Sequence, residues 1–137
     1  MRFEVFISIL ILFMCSVYLS GCDCQTALEG KWVGCDIRKP LVDCTLSIQG
    51  KNFVLMREDS NRWYEGQFKL NNNCVFKKID FEINNTHSST LNGKTLLGIY
   101  KIDRDTLTLV TSEPGKQARP LSFDESPEAV VFSFVKS

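Results

Sequence analysis

The groups able to do chemistry in this sequence are few: six cysteines, a single histidine and a scatter of carboxylates. His87 sits in the polar run Asn84-Asn85-Thr86-His87-Ser88-Ser89. Nucleophilic catalysis by a serine–histidine pair needs a third group to orient the imidazole, and no acid follows in a place to do so. A solvated loop histidine is the expectation. Glu58, Asp59, Asp103 and Asp105 fall in turns, where aspartate commonly bonds its own backbone. Nothing sets two of them across a cleft, as glycoside hydrolysis requires. Thiol ligands for a metal would come from Cys22-Asp23-Cys24 or from scattered cysteines, with no Cys-x-x-Cys pair and no partner histidine; zinc sites are built from such close pairs. The sequence therefore predicts no catalytic residue, no metal and no cofactor, and a protein that is not an enzyme. The loop Pro114-Gly115-Lys116-Gln117-Ala118-Arg119-Pro120 offers Lys116 and Arg119 to an anion or an acidic partner. Its blander reading is a solvated loop stiffened by two prolines. Asn84-Asn85-Thr86 is a glycosylation sequon, relevant only in a eukaryote.

The elements that must carry these residues begin with an export signal. Between Val5 and Gly21 there is no charge, and the run Phe6-Ile7-Ser8-Ile9-Leu10-Ile11-Leu12-Phe13-Met14 is apolar. It is shorter than the roughly 20 residues of a spanning helix, the pattern of an N-terminal signal helix over residues 1–21. The run ends in Leu19-Ser20-Gly21-Cys22, which resembles the bacterial lipobox. That resemblance implies cleavage before Cys22, a diacylglycerol on its thiol and an acylated amino group. Two or three palmitate-like chains, at about 0.8 kcal/mol per buried methylene, would hold the domain on the membrane almost permanently. The expected location is the cell membrane, facing periplasm or exterior, with ordinary secretion or an uncleaved anchor as alternatives. Asp23 resembles an inner-membrane retention signal of enterobacterial lipoproteins.

Cys15 leaves with the signal and Cys22 is taken by lipid, so Cys24, Cys35, Cys44 and Cys74 remain, an even number in an oxidising compartment. Four cysteines allow three pairings. Cys35 and Cys44 lie near the ends of the first two expected strands and are the first candidates. A loop of about ten residues closed this way would stabilise by around 3 kcal/mol.

With 16 basic and 16 acidic residues the chain is neutral, which offers no long-range attraction to nucleic acid. Residues 22–27 read as a tether and 28–137 as one domain, expected to be monomeric. That domain is a succession of short strands broken by turn residues. Trp32 to Ile37 is followed by the alternating Cys44-Thr45-Leu46-Ser47-Ile48, a turn at Gln49-Gly50-Lys51-Asn52, and Phe53 to Met56. Trp63 to Leu70 comes next, then Ile79-Asp80-Phe81-Glu82-Ile83, the cleanest period-two pattern in the chain. Thr95 to Ile102, Thr106 to Val110 and Val130 to Val135 complete the set. No helical stripe is present beyond the signal. Eight or nine strands at short spacing predict an all-β fold, a closed antiparallel meander barrel, since closure removes exposed edges; a β-sandwich is the alternative.

Two stretches carry a family resemblance. Leu28-Glu29-Gly30-Lys31-Trp32 looks like the Gly-x-Trp opening of lipocalin-type barrels. Gly93-Lys94-Thr95-Leu96-Leu97-Gly98-Ile99-Tyr100-Lys101-Ile102-Asp103, Asp105-Thr106-Leu107, Pro114-Gly115-Lys116 and Arg119-Pro120 with Phe123 together resemble a family of uncharacterised lipocalin-like domains abundant in planctomycete-type bacteria. The resemblance covers Leu28 to Lys136 and implies a lipocalin-like barrel whose role is unassigned. The extra cysteines and the short Arg38-Lys39-Pro40 connection depart from it. Trp32, Trp63, Phe68, Phe81 and Tyr100 are candidates to line the interior or simply to fill it. The functional expectation is a lipid-anchored binding module of the cell envelope, holding a small apolar molecule or an envelope protein. A periplasmic inhibitor or interaction protein acting on an envelope hydrolase is the alternative.

Overall fold

The computed structural model describes residues 27–58, 62–72 and 77–137. The expected signal segment with Leu19, Ser20, Gly21 and Cys22 lies outside these residues, as do Cys24, Asp59 and Cys74. Alternation of buried and exposed residues runs through strand after strand: Cys44, Leu46 and Ile48 are buried while Ser47 and Gln49 are exposed, and Ile79, Phe81 and Ile83 repeat the pattern. Period-two burial on one face is what a curved antiparallel sheet requires. Eight strands result: β1 (Gly30–Asp36), β2 (Cys44–Gln49), β3 (Asn52–Arg57), β4 (Trp63–Asn72), β5 (Lys77–Thr86), β6 (Thr95–Asp103), β7 (Thr106–Ser112) and β8 (Ala129–Lys136). Each pairs antiparallel with its neighbour, and β8 pairs back onto β1, so the sheet closes into a meander barrel. The expected all-β barrel is the fold observed; the sandwich is not.

Closure depends on two glycines. A Cβ at Gly34 of β1 would lie 1.8 Å from the Ser133 carbonyl oxygen of β8. One at Gly66 would lie 1.8 Å from the Glu82 oxygen, where the β4–β5 register shifts between Glu65 and Gly66. Both strands bend at a point where a neighbouring backbone passes too close for any side chain.

The two ends of the barrel differ. At one end the chain enters through Leu28, and Trp32 donates its indole N–H to the Leu28 carbonyl (2.9 Å). The same end carries the β2–β3 turn at Gly50, whose N–H donates to the Glu29 carboxylate (3.1 Å), and the C-terminal Lys136, whose ammonium lies over the Trp32 ring. Phe53, Phe68 and Phe81 pack edge-on behind it, with Phe53 and Phe81 centroids 4.7 Å apart. This end is solid.

A second, smaller apolar cluster lies on the outside. Ile99, Val110 and Val131 project outward from β6, β7 and β8, and Ile37, Phe123 and Ala129 cover them. The long β7–β8 connection, residues 113–128, thus supplies an outer lid for three strands. That explains why consecutive residues of β7 from Leu109 to Ser112 are all buried: this stretch is covered on both faces. No helix among the described residues is long and apolar enough to cross a membrane.

Candidate functional site

The end opposite Trp32 is open. Inward positions there follow from continuing each strand's alternation: Trp32, Gly34 and Asp36 on β1, Phe53, Leu55 and Arg57 on β3, Leu96, Gly98 and Tyr100 on β6. At this end lies a cavity of about 390 Å³. Leu55, Leu91, Leu96, Val130 and Phe132 form its apolar floor and wall, and Asp36, Arg38, Arg57, Arg62, Tyr64 and Glu113 stand around its mouth. Phe132 stacks on Phe134 beneath it, at a centroid separation of 5.6 Å.

The charges at the mouth are ordered. Asp36 is buried, and its Oδ1 accepts the Arg38 backbone N–H at 3.0 Å and the Arg38 Nε at 3.4 Å. A buried carboxylate is tolerable only with such partners. Arg57 is half-buried at the end of β3, its backbone N–H donating to the Arg62 carbonyl (3.1 Å), which brings both guanidinium-bearing residues to one side of the opening. Burial pushes the Tyr64 phenol above its ordinary range, while the charges of Arg62 and Arg57 pull the other way. Tyr64 is therefore a neutral hydroxyl beside two cations.

The residues singled out from sequence fall into different places. Trp32, Phe68, Phe81 and Tyr100 are inside the barrel but belong to the packed core and do not line the cavity. Trp63 is half-buried, outside the cavity lining, and pairs with the exposed Met56 of β3. Its backbone N–H faces His87 Nδ1 at 3.2 Å. His87 itself is exposed.

Lys116 and Arg119 turn inward to the protein's own chain. Lys116 pairs with Glu113 (3.6 Å). Arg119 Nη1 donates to the Gly98 carbonyl (2.8 Å) and the Ile79 carbonyl (3.3 Å), and Nη2 to Asp80 Oδ1 (2.5 Å). The expected anion contact is thus corrected for Arg119: it is the clamp that holds the 113–128 connection on the barrel wall.

Cys35 and Cys44 are free thiols, which corrects the first candidate for a bridge. The reason is register. Cys44 pairs with Gly34, so it shares the inward face, while Cys35 is one residue further along and points outward. Burial pushes the Cys44 thiol up, helped by Asp36 and Cys35, with a backbone hydrogen bond from Asp36 and the Arg57 charge opposing. No group of three or more potential metal ligands occurs among the described residues.

Asp36, Arg57, Arg62, Tyr64 and Phe132 are the residues that sequence reasoning missed. Their signal was present: an apolar alternation that ends on a charged residue, as in Phe53-x-Leu55-x-Arg57, places that charge inside the mouth of a barrel. Comparison with known protein families, characterised proteins and solved structures finds no match in any of the three.

Proposed function

We propose that this protein is a binding module of the cell envelope whose upper barrel holds a small, largely apolar molecule. One observation carries the reading: the barrel end opposite Trp32 opens into a cavity of about 390 Å³ above an aliphatic and aromatic floor. Small-molecule sites are typically ~300–1,000 Å³, and this cavity falls in that range, with an apolar floor and a rim rich in polar and charged side chains. The resemblance of Leu28–Trp32 and of the Gly93–Asp103 stretch to lipocalin-like domains supports the same reading. Anchoring by lipid at Cys22 belongs to the proposal, supported by the Leu19-Ser20-Gly21-Cys22 sequence. The test is displacement: the chain in lipid nanodiscs, with empty nanodiscs as blank, is loaded with the neutral apolar fluorophore N-phenyl-1-naphthylamine. Saturable binding reversed by a panel of apolar and amphiphilic competitors is expected; no displacement across the panel overturns the proposal.

The interaction-protein reading is favoured by a different observation. Leu41 in the β1–β2 loop is 97% exposed and Leu121 in the clamped 113–128 connection is 89% exposed, two large apolar side chains that a partner protein would cover.

A further inference from the structure

We propose that the outer face of β1–β4 is a docking surface for a second copy of this chain, joined through a two-fold axis running along the strands between β2 and β3. The face lies on the barrel wall, so the proposal stands apart from whatever the cavity holds.

Strand register builds the face. Directly opposed side chains on one face of an antiparallel pair sit about 5 Å apart. Val135 of β8 opposes Val33 of β1, Val33 opposes Thr45 of β2, Thr45 opposes Met56 of β3, and Met56 opposes Trp63 of β4. All five point outward, because their chain neighbours Phe134, Trp32, Leu46 and Leu55 are buried in the core and Tyr64 lines the cavity. The result is one unbroken row across five strands, apolar except for Thr45, with Met56 47% and Val135 55% exposed. On the opposite wall the protein covers its own apolar patch, laying Phe123 and Ala129 over Ile99, Val110 and Val131. Met56 and Val135 have no such cover among the described residues.

Charge selects the occupant. The next outward row towards the packed end is Lys31, Ser47, Val54 and Glu65, again in direct register. Its two ends carry opposite charges, and neither Lys31 nor Glu65 is ion-paired among the described residues. A two-fold axis along the strands sets each row against its own reverse. Lys31 of each copy then meets Glu65 of the other, Ser47 meets Val54, Thr45 meets Met56, and Val33 meets Trp63. Such self-complementarity is what an isologous dimer requires, and aligned strands are an ordinary way for two sheets to pack. An anionic bilayer would call for a basic face, whereas this one is neutral. The chain as a whole is neutral too, so no net repulsion opposes the pairing.

Within one chain Lys31 and Glu65 are separated by three strand spacings, roughly 14 Å, so zero-length coupling between them reports on two copies. Carbodiimide treatment of an equal mixture of ¹⁴N- and ¹⁵N-labelled full chain in detergent micelles is expected to give a Lys31–Glu65 peptide pair carrying both labels. Sedimentation equilibrium in density-matched detergent then measures the dimer directly. Lys31→Glu and Glu65→Lys, both at exposed positions, are each expected to weaken it roughly tenfold, and the double swap to restore it by re-forming the pair with its signs exchanged. Met56→Lys is expected to abolish it. A wild-type chain that stays monomeric up to about 1 mM overturns the proposal. If a fluorophore on Met56→Cys in a Cys35→Ser background is then quenched by bromine-labelled lipid, a membrane covers the face instead. A dimer indifferent to both swaps and to Met56→Lys forms through another surface and overturns it equally.

Discussion

Arg57 and Cys44 show how one residue's position in a strand determines its chemistry. Arg57 ends the inward series of β3, and Cys44 begins that of β2. Cys44 is fully buried and its thiol is pushed up by that burial; Cys35, one residue past Gly34's level, is partly exposed. Under native conditions iodoacetamide should modify Cys35 and spare Cys44 until the chain unfolds, as read by peptide mass spectrometry. Equal labelling of the two would contradict the register. A pH dependence follows with a definite sign. The folded state holds the Cys44 proton more tightly than the unfolded chain, so the stability due to this difference is fully present below about pH 9 and is lost as pH rises through the folded pKa. Denaturant midpoints should therefore fall more steeply above pH 9 in wild type than in Cys44→Ala.

The element that defines this barrel's exterior is the 113–128 connection. It is pinned at one point by Arg119, which bonds two strand carbonyls and Asp80, and at another by Phe123 over the Ile99–Val110–Val131 patch, with the Lys101 ammonium 4.6 Å from the Phe123 ring centroid. Hydrogen bonds to a charged group contribute about 1.5–3 kcal/mol each when part-buried partners are left behind. Arg119→Ala is thus expected to destabilise the fold by about 2 kcal/mol, measured by urea denaturation, and to raise proteolysis within 113–128. A change under about 0.5 kcal/mol would mean that the clamp is ornamental. All eight strands were legible in the sequence, because period-two burial and Gly or Asn turns are local signals; Ile79-Asp80-Phe81-Glu82-Ile83 is the clearest of them. The clamp and the mouth were not. Arg119 finds Asp80 across 39 residues, and whether Phe81 or Phe132 borders empty space depends on which level of the closed barrel each occupies. No local pattern carries that information.

At the scale of the whole molecule, the direction of β1 is decisive. It runs from the packed end at Gly30 to the mouth at Asp36, a rise of roughly 20 Å for a tilted strand of this length. Under the proposed lipid anchor at Cys22, the domain would be attached on the side of its packed end, and the cavity would open away from the membrane. In liposomes with bromine-labelled lipid, a fluorophore on Lys51→Cys, in the β2–β3 turn at the packed end, should be quenched more than one on Lys39→Cys in the β1–β2 loop at the mouth, both in a Cys35→Ser background. Cys22→Ala should release the chain from the membrane; tight association that persists without Cys22 would refute the anchor.

The hollow upper barrel is the claim on which the rest depends, and filling it is the most direct test. Leu96 lines the cavity from β6 with its side chain directed inward, and Leu96→Trp places an indole in that space. Fluorescent titration with N-phenyl-1-naphthylamine should give one saturable site in wild type and none in Leu96→Trp, with thermal unfolding of the variant within a few degrees of wild type. Undiminished binding in a folded Leu96→Trp protein would place the ligand elsewhere and contradict the account.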